Sequence, residues 1–161
     1  AVAAKAGPAM AAYTRNLYET LFRLSRDYQD RLQQESALRC GLLGRKLGHS
    51  YSPLIHSYFG QYEYRLFEKQ PHELEDFLKN GDFHGINVTY PYKETIRPYL
   101  QGIDPTAEVI GAVNVVHKGI GYNTDWIGFR NSLAPLVQSG EKALLLGTGG
   151  VSKAIQYALG Y

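Results

Sequence analysis

Apolar residues recur at steps of three or four at the start of the chain: Met10, Tyr13, Leu17, Leu21, Leu24, Tyr28 and Leu32. That spacing lines them up as one heptad-like stripe, and it predicts a long amphipathic helix within Ala1–Ser36. Pro8 sits where a first helical turn tolerates it. Arg15, Glu19, Arg23, Arg26, Asp27, Asp30 and Arg31 occupy the other faces. No second helix follows to cover the stripe. It must pack on the neighbouring domain, on another chain, or on residues outside this sequence.

From Ala37 to Ser139 the pattern alternates between strand and helix. "LRCGLL" reads as a buried strand, and "SPLIHSYF" as a helix with Ser52 as N-cap and Pro53 at the first position. "YEYRLFE" alternates like a strand, and "PHELEDFLKN" is a short helix ending before Gly81. "HGINVTY" is a strand that stops at Pro91, and "YKETIRPYL" supplies a helical turn or two. "GAVNVVHKG" and "IGYNTD" form the strands of a hairpin, and "DWIGFRNSLAPLV" is a helix broken at Pro135. Such alternation implies a mainly parallel sheet with helices on both faces. From Gly140, "KALLLGTGGVSKAIQYALGY" reads as a strand, a glycine loop and the start of a helix.

Composition narrows the class. With 161 residues, 44% hydrophobic and 20% charged, the chain has enough apolar content for a packed core. A net charge of +2 spread along the sequence argues against nucleic acid or a membrane surface as partner. Cys40 is the only cysteine, so no intrachain disulfide forms, which suits a reducing cytoplasm. No apolar run approaches a membrane span, and "AVAAKAGPAM" lacks the apolar core of a secretory signal.

Candidate chemistry gathers at the ends of elements. Gly147-Thr148-Gly149-Gly150 follows the apolar Ala143–Leu146 and opens a helix at Val151. Glycines there let a backbone approach a pyrophosphate, with the helix N-terminus supplying amides. The residue that distinguishes a ribose hydroxyl from a 2′-phosphate belongs about 20 residues later, beyond Tyr161. Upstream lie Ser50/Ser52, Asn87/Thr89/Lys93, Asn114 and Asn123/Thr124/Asp125. In an open parallel sheet, strand C-termini converge on one crevice. Each cluster has a purely structural alternative: Ser52 as cap, Asn87 and Thr89 as turn formers, Asp125 at a helix dipole, Lys93 as a solvated amine. His49 and His56 lack partners at metal-ligand spacing, so no metal site is expected.

The order of these clusters resembles the shikimate dehydrogenase family from about Leu38 onward. "GHSYSP", "NVTYPYK", "GAVN", "NTDWIGF" and "GTGGVSKA" are similar to five of its motifs in sequence. The resemblance implies reversible reduction of 3-dehydroshikimate to shikimate with NADP, NAD being admitted. It implies that Ser50 and Ser52 bind the substrate carboxylate, that Thr89, Asn114, Lys93 and Asp125 hold the ring hydroxyls and the reacting oxygen while Asn87 helps shape the site, and that Lys93 and Asp125 form the catalytic pair. Gly147, Thr148, Gly149, Gly150 and Val151 would hold the cofactor. Val115, Thr148 and Ser57 depart from residues frequent in the family, and none of these changes removes a proposed catalytic group. Having both serines favours shikimate over quinate. A quinate or aminoshikimate enzyme, or a shikimate-binding fragment without hydride transfer, remains the alternative.

The first helix resembles a different family. "LFRLSRDYQ" is similar to the last helix of the all-helical chorismate mutases, with Ser25 and Gln29 at two substrate-contacting positions. A surface or dimerisation helix is the competing reading, and a homodimer through this helix is admitted. The expectation is therefore an α/β chain in three parts. Residues 1–36 form a mutase-like helix, 37–139 a mainly parallel substrate-binding domain with flanking helices, and 140–161 the first strand-loop-helix of an incomplete Rossmann domain. The parent would be a bifunctional enzyme, and this stretch alone is expected to bind shikimate at best and to transfer no hydride.

Overall fold

The computed structural model describes residues 8–36, 38–137 and 140–160. The long helix α1 spans Pro8–Ser36, 29 residues. All its described side chains, residues 15–31, are exposed, with Leu17, Phe22 and Tyr28 exposed by 59%, 63% and 64%. The neighbouring domain therefore does not cover this part of the stripe. The side chains of Met10, Tyr13 and Leu32 lie outside the described residues.

Strand β1 (Arg39–Gly44) pairs in parallel with β2 (Glu63–Glu68) on one side and with β3 (Gly85–Val88) on the other. β3 pairs antiparallel with β5 (Val115–His117), β5 antiparallel with β6 (Ile120–Tyr122), and β6 parallel with β4 (Gly102–Ile103). The order is β2-β1-β3-β5-β6-β4, a mainly parallel sheet with one antiparallel hairpin set into it. Leu42 and Leu43 project to opposite faces of β1 and both are buried, which is why that strand reads as a continuous apolar run. Between β5 and β6, Lys118 and Gly119 both have positive φ (49° and 76°), the backbone that a two-residue hairpin turn needs.

Helices α2 (Ser52–Ser57), α3 (Leu74–Asn80), α4 (Tyr92–Thr95) and α6 (Asp125–Leu133) fall where the pattern predicts them. β4 and α5 (Pro105–Ile110) are elements the hydrophobic pattern does not announce. Their signal is local chemistry. The Asp104 carboxylate accepts from the amides of Thr106 and Ala107 at 2.9 and 3.4 Å, Pro105 opens the helix, and Gly111 closes it with φ 75°.

Leu43, Leu74, Ile86, Val88, Tyr92, Ile96, Val113 and Val116 form the main core, with Phe67, Phe77 and Phe83 packed around it. A second cluster of Ile110, Ala112 and Ala154, flanked by Trp126 and Tyr157, docks α7 (Gly150–Leu159) onto the sheet domain. An ion pair between Lys153 on α7 and Glu94 on α4 adds to that junction.

One expected element is absent. Residues 141–148 form neither strand nor helix, and Leu144 and Leu146 are 86% and 84% exposed. A strand persists only where a neighbour takes its N–H and C=O groups, and no described strand lies beside this segment. Among the described residues no helix is long and apolar enough to cross a membrane.

Leu43 is fully buried in the main core. Its replacement in Leu43→Ala is expected to cost about 2–5 kcal/mol. Asp104→Ala should cost about 1 kcal/mol. Urea unfolding of the chain checks both values and their order.

Candidate functional site

The topology delivers every upstream polar cluster to one edge of the sheet. β1 ends at Gly44 and leads into the loop that carries Ser50 and Ser52. β3 ends at Val88 and continues through Thr89 to α4. β5 runs the opposite way, so Asn114, just before its start, lies at the same edge. The Val88 amide donates to the Asn114 carbonyl at 2.8 Å there. β6 returns to that edge, and Asn123, Thr124 and Asp125 follow it directly.

Lys93 is set by its neighbours. Tyr92 is buried in the core and donates its hydroxyl to the Lys69 carbonyl, which fixes the first turn of α4. The Lys93 carbonyl accepts from the Val113 amide at 2.6 Å. The Lys93 ammonium then donates to Asp125 Oδ2 at 2.7 Å, in a pair whose side chains are 16% and 26% exposed. The other carboxylate oxygen, Oδ1, accepts from Asn114 Nδ2 at 2.8 Å. Asn114, itself 8% exposed, uses its own Oδ1 to accept from the Thr124 amide at 2.8 Å. Behind them, buried Asn123 donates to the Ala112 carbonyl at 2.9 Å and accepts from the Asp125 amide at 3.1 Å. The amide and carboxylate ends of this network leave the lysine a fixed position with its charge paired.

The serines open onto a cleft of about 710 Å³, lined also by Lys46, His49, Glu68, Thr89 and Tyr90. Ser52 is not the cap that its place ahead of Pro53 predicts. α2 already includes Ser52, its N-cap position is Tyr51, and the Ser50 hydroxyl accepts from the Ser52 amide at 3.2 Å. The local bond that a capping residue makes has thus moved to Ser50, and the Ser52 hydroxyl is free of that duty. Asn87 lies on β3, with its Oδ1 accepting from the Tyr64 hydroxyl at 2.7 Å. Glu68 accepts from the Leu47 amide at 2.6 Å and so steadies the serine loop. Tyr64, Glu68 and Lys46 have no sequence signature and reach the site through β2 and loop packing, whereas Tyr90 lies within the quoted stretch "NVTYPYK".

Thr89 and Tyr90 also line a second cleft, of about 390 Å³, whose other walls are Lys93, Glu94 and the glycine loop with the start of α7. The two clefts thus adjoin at Thr89 and Tyr90. Gly150 packs against Lys93 directly: a Cβ there would lie 3.1 Å from Lys93 Cβ and 3.4 Å from Ala112 Cβ. At Gly147 and Gly149 an added Cβ would meet nothing within 4 Å, so that backbone faces open space. α7 has no side-chain N-cap, which leaves its first amides to other acceptors. These features fit a dinucleotide phosphate, with Gly147, Thr148, Gly149, Gly150 and Val151 as its cradle.

Other candidates fall away from this edge or take structural roles. Ser25 and Gln29 sit on α1 with exposed side chains and line neither cleft. His56 stacks on Tyr64 at 3.8 Å and shares a hydrogen bond with the Tyr62 hydroxyl at 2.6 Å, and its burial lowers its pKa. Among the described residues no group of three His, Cys, Asp or Glu side chains converges as a metal-ligand set.

Residues 42–116 match the family described as the shikimate dehydrogenase substrate-binding domain. The chain is 42% identical over 133 residues to a Clostridium botulinum protein named shikimate dehydrogenase (NADP(+)), covering 74% of this chain and 52% of that one. It thus spans about half the length of the curated relatives it matches. Among solved structures, shikimate dehydrogenase 1 from Peptoclostridium difficile superposes with a TM-score of 0.69 at 38% identity, over 76% of this chain and 50% of that one. The Thermus thermophilus enzyme in complex with shikimate gives 0.69 at 36% identity, over 76% and 52%. A chorismate mutase/shikimate 5-dehydrogenase fusion protein from Clostridium acetobutylicum gives 0.68 at 34%, over 76% and 50%. Residues 42–116 thus match the shikimate dehydrogenase substrate-binding domain, and the five ordered motifs, the converging polar edge and these likenesses point the same way.

Proposed function

We propose that this chain is the substrate-binding domain and the opening of the cofactor domain of an NADP-dependent shikimate dehydrogenase. The reaction is the reversible reduction of 3-dehydroshikimate to shikimate, in the supply of aromatic amino-acid precursors. The observation that carries the reading is the Lys93–Asp125–Asn114 network, whose lysine lines the glycine-loop cleft that adjoins the serine cleft at Thr89 and Tyr90. Residues 37–139 form the first domain and 140–161 begin the second.

Reduction of a ketone needs a hydride at carbon and a proton at oxygen. The dinucleotide supplies the hydride when bound. Lys93 supplies the proton from its ammonium and stabilises the alkoxide charge as it develops. Asp125 orients that ammonium with one oxygen, while Asn114 holds the carboxylate by the other. In the oxidative direction Lys93 takes the proton back. Ser50 and Ser52 hold the substrate carboxylate, while Asn87, Thr89 and Asn114 hold ring oxygens. The relatives' names support NADP as the dinucleotide, and a single cysteine supports a cytoplasmic setting.

α1 belongs to a second activity in this reading. Its exposed apolar stripe suits packing against further helices and a second copy of the chain, and the mutase fusion among the similar structures supports a chorismate mutase module at this end. Ser25 and Gln29 then contact its substrate.

In the intact enzyme, Lys93→Ala should lower kcat by about 100- to 10,000-fold with a much smaller change in shikimate Kd. Equal losses in the two would reduce Lys93 to a binding residue. The double variant Ser50→Ala/Ser52→Ala should weaken shikimate in titration calorimetry far more than an analogue lacking the carboxylate; parallel weakening would refute the anion site. Gln29→Ala should impair conversion of chorismate to prephenate by the intact protein, and an intact protein without that activity would leave α1 as a packing helix.

A further inference from the structure

Tyr64 has no part in the chemistry above, yet its side chain reaches residues that do. It lies on β2, opposite Cys40 of β1, and Cys40 is in turn opposite Gly85 of β3. The line across the sheet at this level thus meets a residue without a side chain before it continues to His117 of β5, and Asn87, two positions on, shares the face of Gly85. The Tyr64 ring spans β1 to donate its hydroxyl to Asn87 Oδ1 at 2.7 Å. His56 stacks on the ring at 3.8 Å with 16° between planes, and the Tyr62 hydroxyl holds His56 in turn at 2.6 Å. The ring therefore has little freedom. Burial pushes the Tyr64 hydroxyl up to about 12, a rise that the neighbouring Ser52 hydroxyl moderates. It is a protonated donor throughout the neutral range.

A side-chain amide has two ends of opposite character, an acceptor oxygen and a donor nitrogen, of similar size. With its oxygen unclaimed, Asn87 could turn either end toward a ligand. We propose that Tyr64 is a positioning residue whose hydroxyl occupies Asn87 Oδ1 and so makes Nδ2, a donor, the end that meets the substrate. This rests on the shikimate reading of the cleft and deepens it. A hydroxyl or carbonyl oxygen can accept from Nδ2, whereas an ammonium in its place offers only donors. The Tyr64–Asn87 pair thus selects an oxygen substituent over a charged amine at that point of the ring.

The test is a double-mutant cycle on the purified chain, read by titration calorimetry with shikimate. Tyr64→Phe keeps the ring and its stack on His56 and deletes one hydroxyl. It should weaken shikimate by about 5- to 20-fold without lowering the melting temperature. In an Asn87→Ala background the same change should cost nothing further, because its effect passes through Asn87. Losses that multiply would overturn the proposal. A second readout needs no ligand: the Asn87 side-chain amide resonances should move in Tyr64→Phe, and resonances that stay in place would also overturn it. A wild-type chain that binds no shikimate would refute the functional reading instead, and the amide resonances would still decide the Tyr64 contact.

Discussion

A parallel strand brings only its C-terminal end to the edge where its neighbours finish. The β5–β6 hairpin escapes that limit, because one of its strands runs backwards. The residue before β5 and the residues after β6 therefore arrive at the same edge as the ends of β1 and β3. Asn114 and Asp125 are eleven positions apart in sequence and hydrogen-bonded in space for this reason. The polar network of the site depends on that reversal: the carboxylate reaches Lys93, the amide holds the carboxylate, and Asn123 ties the two outer ends of the hairpin together beneath them.

Much of this was legible in the sequence because it is local. The turn residues, the helix periods and the glycine loop each act within a few positions, and the polar clusters stand next to the elements that carry them. For α1 the sequence left open what covers its stripe, and the structure removes the neighbouring domain as cover for residues 15–31. What escaped the sequence depends on distant partners. β4 is two residues long and exists because β6 lies beside it. Ala143–Leu146 has the composition of a strand and is not one, for want of a neighbour. The Ser52 cap failed by one residue of helix start, where local competition between Ser50 and Ser52 decides the outcome. Tyr64 and Glu68 looked like ordinary strand residues, because nothing in the order of residues reveals which side chain crosses a neighbouring strand.

Two adjacent residues of α4 divide the electrostatics between the two parts of the chain. Lys93 pairs with Asp125 inside the sheet domain, and Glu94 pairs with Lys153 on α7. Opposite charges side by side on one short helix keep the local field balanced while each faces a different partner. The aromatic edge contact of Trp126 with Tyr157, at 5.2 Å and 79°, lies across the same junction. Polar and apolar contacts thus converge on the seam where the glycine loop begins.

The meeting of Gly150 with Lys93 has an evolutionary consequence. With 3.1 Å between the Lys93 Cβ and the place a Cβ would take at position 150, a side chain there requires its neighbour to give by a few tenths of an ångström. Positions 93, 112 and 150 are therefore not free to drift independently, although they lie in three different segments. Enlarging one of them presses on the others, so the spacing between Lys93 and the glycine loop holds only while all three positions stay compatible.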